Sequence, residues 1–217
     1  MRSAIVKNIF TFRNYLILAI IAIALLTFLA KNYAFFSIDL YITRQIQLIQ
    51  NPVIVGLLFF MTWLGNYYQA IFSLIIFTGA LFIYGYKKES LILTLSTLGA
   101  VVIAETLKLV VSRPRPDSLL INQIEVFTRH DSFPSGHVLF YCGFYGCLLF
   151  LTHLKIKHKR VRNILMGILL AIILLVGISR IYLGSHWFSD VLAAYLIGSV
   201  WLYIVILIFR KIHIQSK

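Results

Sequence analysis

Leu91–Val111 reads LILTLSTLGAVVIAETLKLVV, and Ser112-Arg113-Pro114-Arg115-Pro116 follows it directly. A bilayer crossing needs ~20 predominantly apolar residues. This run meets that length with only Glu105 and Lys108 charged, both near its end. It reads as a membrane-spanning helix that delivers a lysine and two arginines to one membrane face, where the prolines stop the helix and fix the following backbone.

Outward from this stretch, apolar windows of similar length recur at Tyr15–Ala30, Tyr68–Tyr84, Val138–Leu154, Ile164–Ile181 and Trp187–Phe209, with short polar breaks between them. The chain of 217 residues is 60% hydrophobic and 12% charged, with mean hydropathy +0.91, so the bilayer is its solvent. The expected fold class is all-α: a polytopic six-transmembrane-helix bundle forming one membrane-embedded domain over residues 1–217. Between the first two spans, Asp39, Arg44, Gln45, Gln47, Gln50 and Pro52 interrupt the apolar residues, which predicts interfacial or re-entrant helices over Ser37–Leu64.

Six spans return both termini to one side, and the basic residues choose it. Arg2, Lys7, Arg13, Lys87, Lys88, Lys155, Lys157, Lys159, Arg160, Arg162, Arg210, Lys211 and Lys217 all fall on the terminal side, 13 of the 20 Lys and Arg. By the positive-inside rule both termini are cytoplasmic in a cell membrane, and the opposite, outer face carries the remaining polar clusters. The net charge of +13 does not indicate nucleic acid, because its largest block, Lys155–Arg162, is a loop between two spans. Lys31-Asn32-Tyr33-Ala34 offers no small-x-small cleavage site, so the first span is expected to be uncleaved. Cys142 and Cys147 share one expected helix and read as apolar packing residues.

Three polar clusters stand at the outer ends of these helices. Lys108 with Arg113-Pro114-Arg115-Pro116 is the first. Pro134-Ser135-Gly136-His137, just before the apolar run at Val138, is the second. Ser135 is suited to cap a helix there, and the N-H groups of a first helical turn attract anions. The third is Ser179-Arg180 with His186 and Asp190, whose spacing puts imidazole and carboxylate on one helical face. A carboxylate that takes one ring N-H leaves the other nitrogen as nucleophile or base. Cations, neutral donors, two histidines and a carboxylate make an inventory for phosphoryl transfer.

The pattern Lys108-x6-Arg115-Pro116, Pro134-Ser135-Gly136-His137 and Ser179-Arg180-x5-His186-x3-Asp190 resembles, complete in order and spacing, the tripartite signature of the type 2 phosphatidic acid phosphatase (lipid phosphate phosphatase) family, and the expected bundle is similar to its bacterial membrane-bound members. The resemblance covers residues 108–190. It implies a metal-independent phosphatase without cofactor, in which His186 attacks phosphorus to give a phosphohistidine, Asp190 supports His186, and His137 protonates the leaving oxygen. Lys108, Arg115, Ser135, Gly136 and Arg180 then bind phosphate. A neutral nucleophilic and a protonated acid histidine together give a bell-shaped rate profile. The implied substrate is a lipid phosphate or diphosphate drawn from the membrane lipids, with undecaprenyl diphosphate first and phosphatidylglycerophosphate and phosphatidic acid as alternatives.

Taken singly, these residues have plainer readings: Lys108 as a snorkelling anchor, Ser135-Gly136 as a simple cap, His186 with Asp190 as an ion pair. A non-catalytic protein that binds or transports anionic lipids is the alternative from another class, and it makes His186 dispensable. Glu105 is expected to pair with Lys108, three residues on. Arg113 and Arg129 read as loop electrostatics, and His130 and Asp131 as solvated loop residues. His153, His158 and His213 lie toward the cytoplasmic side, and neither these nor any other residues are expected to ligate a metal.

Overall fold

The computed structural model describes residues 2–125 and 131–214. Among the described residues the chain forms eight helices and no β-strand: α1 (Arg2–Asn32), α2 (Ser37–Ile46), α3 (Pro52–Leu64), α4 (Tyr67–Ile83), α5 (Lys87–Val111), α6 (Gly136–Lys155), α7 (Lys159–Tyr182) and α8 (Phe188–Ile214). Within α1, Asn14–Asn32 is long and apolar enough to cross a membrane, as are α5, α6, α7 and, in α8, Phe188–Ile212. Helices α3 and α4 pass that test only together, as a pair bent by 68°, so the count is five, or six when the bent pair is taken as one span.

The expected all-α, multi-pass architecture is therefore the one observed, and its departures have local causes. Helix α7 begins five residues ahead of the apolar window, because His158 stands at its N-cap and accepts a hydrogen bond from Val161 N at 3.4 Å. Hydropathy marks where a helix meets lipid, whereas caps mark where it starts. Pro52 occupies the first turn of α3, where its missing N-H costs nothing, and Asn51 caps that turn through Val53 N at 3.0 Å and Ile54 N at 3.3 Å.

Helix α6 is the axis of the bundle: 61% of its apolar window is buried, against 11–39% for the other four single spans. Close approach to α5 rests on Gly143, where an added Cβ would stand 2.8 Å from both Ala100 Cβ and Ser96 O. There Ser96 Oγ donates to Gly143 O at 2.7 Å, and on the α8 side Trp201 Nε1 donates to Ser96 O at 2.8 Å. Small residues and interhelical hydrogen bonds replace the hydrophobic effect as the glue between helices in lipid. Cys142 and Cys147 are free thiols buried in this packing, as their sequence context suggested.

At one end of the bundle α2, α3 and the α5–α6 loop close over the spans. Gln47 Nε2 donates to Asn122 O at 2.6 Å and Tyr182 O at 2.9 Å, and Asn122 N returns a bond to Gln47 Oε1 at 3.1 Å. These bonds satisfy loop backbone that has no secondary structure to satisfy it. They tie α2 to the loop that carries the arginines.

Candidate active site

All three polar clusters converge on one cavity of about 510 Å³, lined by Lys108, Arg115, Gly136, His137, Arg180 and His186 among others. Ser112, in a left-handed conformation at φ 49°, ends α5, and its N-H closes on Lys108 O at 2.9 Å. The chain then turns so that Arg115 lies beside the α7–α8 junction, where its Nη1 donates to Ser185 O at 2.7 Å. Lys108 Nζ pairs with Glu105 Oε1 at 2.7 Å, as its helical spacing suggested. The same ammonium lies over the start of α6, 3.1 Å from where a Cβ on Gly136 would stand. Gly136 keeps that approach to the helix N-terminus open.

Ser135 occupies the N-cap of α6, but its hydroxyl does not cap the helix. The Oγ atom is buried and has no hydrogen-bond partner among the described residues. A buried hydroxyl in that condition suits an acceptor-rich ligand such as a phosphate. His137, in the first turn of α6, meets Asn66 Oδ1 through Nε2 at 3.2 Å. Gly65, at the break between α3 and α4, makes room for it: an added Cβ would lie 2.6 Å from His137 Cδ2 and 2.7 Å from Tyr141 Cε2.

His186 sits in the turn before α8, 2% exposed. Its Nδ1 lies 2.7 Å from Ser132 O. A carbonyl only accepts, so the neutral ring carries its proton on Nδ1, and Nε2 keeps a lone pair. Asp190 Oδ2 is 3.8 Å from Nδ1, outside hydrogen-bond range, and accepts from Trp187 N at 3.0 Å. The carboxylate therefore acts on His186 across a gap, and Ser132 O supplies the direct contact that the four-residue spacing had suggested for Asp190. Burial, then Arg115, Arg180 and Lys108 in that order, holds the His186 imidazole well below its usual pKa of 6.5.

Several site residues were not singled out in the sequence. Glu125, in the α5–α6 loop, lines the cavity and accepts from Arg180 Nη1 at 2.8 Å and Ser185 Oγ at 2.6 Å. Thr62 Oγ1 contacts Arg180 Nη1 at 3.2 Å and Ser179 Oγ at 2.6 Å. Arg113, read as loop electrostatics, is instead 1% exposed and fully engaged behind the cavity. Arg129 and His130 lie outside the described residues. His153 and His158 belong to the opposite end of the bundle, at the last turn of α6 and the start of α7. The signal available in the sequence was Asp39, an ionisable residue in an otherwise apolar segment, which at membrane depth calls for a partner.

Fold and site together define a polytopic membrane protein with a cavity at one end of its helices that is cationic on one side and apolar on the other. The chain belongs to the PAP2 superfamily, whose sequence profile matches residues 89–214. It is 30% identical over 173 residues to phosphatidylglycerophosphatase B of Bacillus subtilis, covering 78% of this chain and 82% of that one. It is also 30% identical over 169 residues to an undecaprenyl-diphosphatase of Sulfolobus acidocaldarius, covering 76% and 74%. The crystal structure of a transmembrane PAP2-type phosphatidylglycerolphosphate phosphatase from Bacillus subtilis superposes with TM-score 0.73 at 25% identity, over 88% of this chain and 96% of that one. Aquifex aeolicus LpxE gives TM-score 0.61 at 30% identity, over 79% and 96%.

Proposed function

We propose that this chain hydrolyses the terminal phosphate of a lipid phosphate or diphosphate through a phosphohistidine, at the outer face of the cytoplasmic membrane. The observation that carries this reading is the two-sided cavity. Its cationic end holds Lys108, Arg115 and Arg180, and its other end runs between α4 and α5 past Ile71, Leu74, Leu98 and Val101. Ile71, Leu98 and Val101 are 41%, 51% and 40% exposed, so that end opens toward lipid. An amphiphile fits such a shape: the tail stays in the bilayer between α4 and α5 while the head group reaches the cations.

In the first step His186 Nε2 forms a bond to phosphorus as the bond to the leaving oxygen breaks, and His137 gives that oxygen a proton. Lys108, Arg115 and Arg180 compensate the charge on the equatorial oxygens, with Ser135 Oγ and the N-H groups at Gly136 as neutral donors. Water then attacks phosphorus, the P–Nε2 bond breaks, and His137 recovers a proton. Asp190 faces the positive charge that develops on the imidazole. Glu125 holds Arg180 before substrate binds, and the phosphate replaces one anion with another. Charge compensation by these three cations needs no metal in this reading.

Residues 1–217 act as one phosphatase domain, with the catalytic signature between Lys108 and Asp190. The basic-residue asymmetry supports cytoplasmic termini, which places the cavity outside. Undecaprenyl diphosphate leads as substrate, since a diphosphate gives the three cations a second phosphate to hold. The Bacillus subtilis relatives named for phosphatidylglycerophosphate favour that lipid as the second reading. The test is phosphate release by detergent-purified wild type and His186→Ala, with EDTA present, over undecaprenyl diphosphate, phosphatidylglycerophosphate and phosphatidic acid. Release by the wild type alone is expected, with the rates ranking the lipids. Equal release by His186→Ala would remove the phosphohistidine, and no release from any lipid by folded protein would favour anionic-lipid binding or transport.

A further inference from the structure

Behind His186, away from the cavity, lies a buried ionic chain that joins three separate parts of the sequence. Arg113 Nη1 donates to Asp190 Oδ1 at 2.5 Å and to Ser189 Oγ at 2.7 Å, while Nη2 donates to Asp39 Oδ2 at 2.9 Å. Its Nε donates to Ala34 O at 3.1 Å, and its guanidinium carbon stands 4.9 Å from the centroid of the Phe36 ring. The side chains of Asp39, Arg113 and Asp190 are all 0% exposed. Asp39 also accepts from Ser189 N at 2.7 Å, Ser189 Oγ at 2.8 Å and Phe36 N at 3.1 Å.

Resting on the phosphatase reading above, we propose that Asp39 is a positioning residue for the reaction, acting on His186 through Arg113 and Asp190. Two carboxylates and one guanidinium leave the chain one net negative charge, with its end 3.8 Å from His186 Nδ1. That charge matches the positive charge the imidazole gains when Nε2 bonds to phosphorus. Arg113 by itself would neutralise Asp190. Asp39 takes up part of the guanidinium's field, so Asp190 stays effectively anionic toward His186. A buried ion pair is weak evidence of stabilisation, because desolvation offsets its attraction. Its value here lies in where the charge is placed.

On the cavity side Lys108 from α5, Arg115 from the loop, His137 from α6 and Arg180 from α7 oppose an imidazolium at His186, while the two carboxylates there are engaged by those cations, Glu105 by Lys108 and Glu125 by Arg180. Asp190 on α8 is the counterweight. Removing the negative charge at Asp39 therefore leaves His186 harder to protonate and its transition state less stabilised, while the phosphate-binding groups stay in place.

The test uses the full-length enzyme and the lipid it hydrolyses best. Asp39→Asn keeps one acceptor oxygen, for Ser189 N, and removes the charge, so it should lower kcat by roughly tenfold or more, which corresponds to at least ~1.4 kcal/mol of barrier. KM should change by no more than about twofold, as for an interaction made in the transition state, and the acid limb of kcat/KM should move to lower pH. The double variant Asp39→Asn/Arg113→Gln restores one net negative charge at Asp190 and removes the charges in a pair. It should recover part of the lost kcat and return the acid limb toward its wild-type position. Wild-type kcat and pH profile in folded Asp39→Asn would overturn the proposal and leave the phosphatase reading standing. If Asp39→Asn does not fold, the double variant decides: folded protein as inactive as His186→Ala overturns the proposal, and measurable turnover supports it. Absence of release by the wild type would overturn both.

Discussion

In the proposed reaction two side chains decide whether the site can turn over, His137 and His186, and their surroundings set what each can do. His137 occupies space that exists because residue 65 lacks a Cβ. Gly65→Ala should therefore leave a folded protein with a displaced imidazole, and kcat should fall by about tenfold to a hundredfold, since misplacing a reacting group by ~1 Å costs that order. Steady-state kinetics beside a detergent unfolding curve would check it, and unchanged kcat would show that His137 does not need its present position. His186 lies among cations and is buried, so its imidazolium is disfavoured in the folded protein. In the proposed mechanism neutral His186 is the nucleophile, so the acid limb that it contributes to free-enzyme kcat/KM should fall well below the ordinary imidazole value of 6.5. The sign for stability agrees. The folded pKa is depressed, so this residue's contribution is complete above the unfolded value and is lost as pH falls through the folded one. An acid limb at or above 6.5 would contradict that environment.

At the scale of elements, the spans were legible because lipid imposes one rule on every residue that faces it, and a window average reads that rule directly. Leu91–Val111 became α5 with its C-terminal boundary unchanged, and the three polar clusters met at one end of the bundle as the alternation of spans required. What stayed hidden depends on contacts between distant segments. Asp39 and Arg113 are 74 residues apart, and neither reveals the other without the fold. Glu125 reaches Arg180 from an irregular loop, where no period constrains the direction of a side chain. Asn66 meets His137 because α3 and α4 bend between them, and the sequence offered a Gly-Asn pair with no sign of what would fill the bend. The α4–α5 pair yields its own expectation. Leu98 borders the cavity at its lipid-facing end and is half exposed, so a larger side chain there is tolerated by the fold. Leu98→Trp should reduce kcat/KM for a long-chain lipid phosphate roughly tenfold, an overpacking cost of ~1–3 kcal/mol. Release from p-nitrophenyl phosphate, which has no tail to place, should stay within about twofold. Equal loss on both substrates would move the tail elsewhere.

The whole molecule adds a constraint that no single site supplies, which is the direction the cavity faces. Its cations belong to the minority of basic residues, seven of the 20, that do not fall on the terminal side. The stretch from Lys155 to Arg162, which joins α6 to α7, gathers five basic residues, and Lys155 there pairs with Glu89 at the start of α5. A phosphatase pocket needs positive charge at its mouth, which opposes the positive-inside bias, so an outward site is retained only if the opposite loops are more basic still. That is the distribution this chain has. Both native cysteines are buried in the bundle, so the chain is suited to labelling at introduced positions. Leu119 in the α5–α6 loop is 90% exposed, and Lys157 lies in the basic loop between α6 and α7. In intact cells, Leu119→Cys should react with a membrane-impermeant maleimide, and Lys157→Cys should react only after permeabilisation. The reverse pattern would put the phosphate pocket in the cytoplasm. Substrate would then have to come from the inner leaflet, and a role in clearing phosphate from lipids on the outer surface would be lost even if every catalytic residue were assigned correctly.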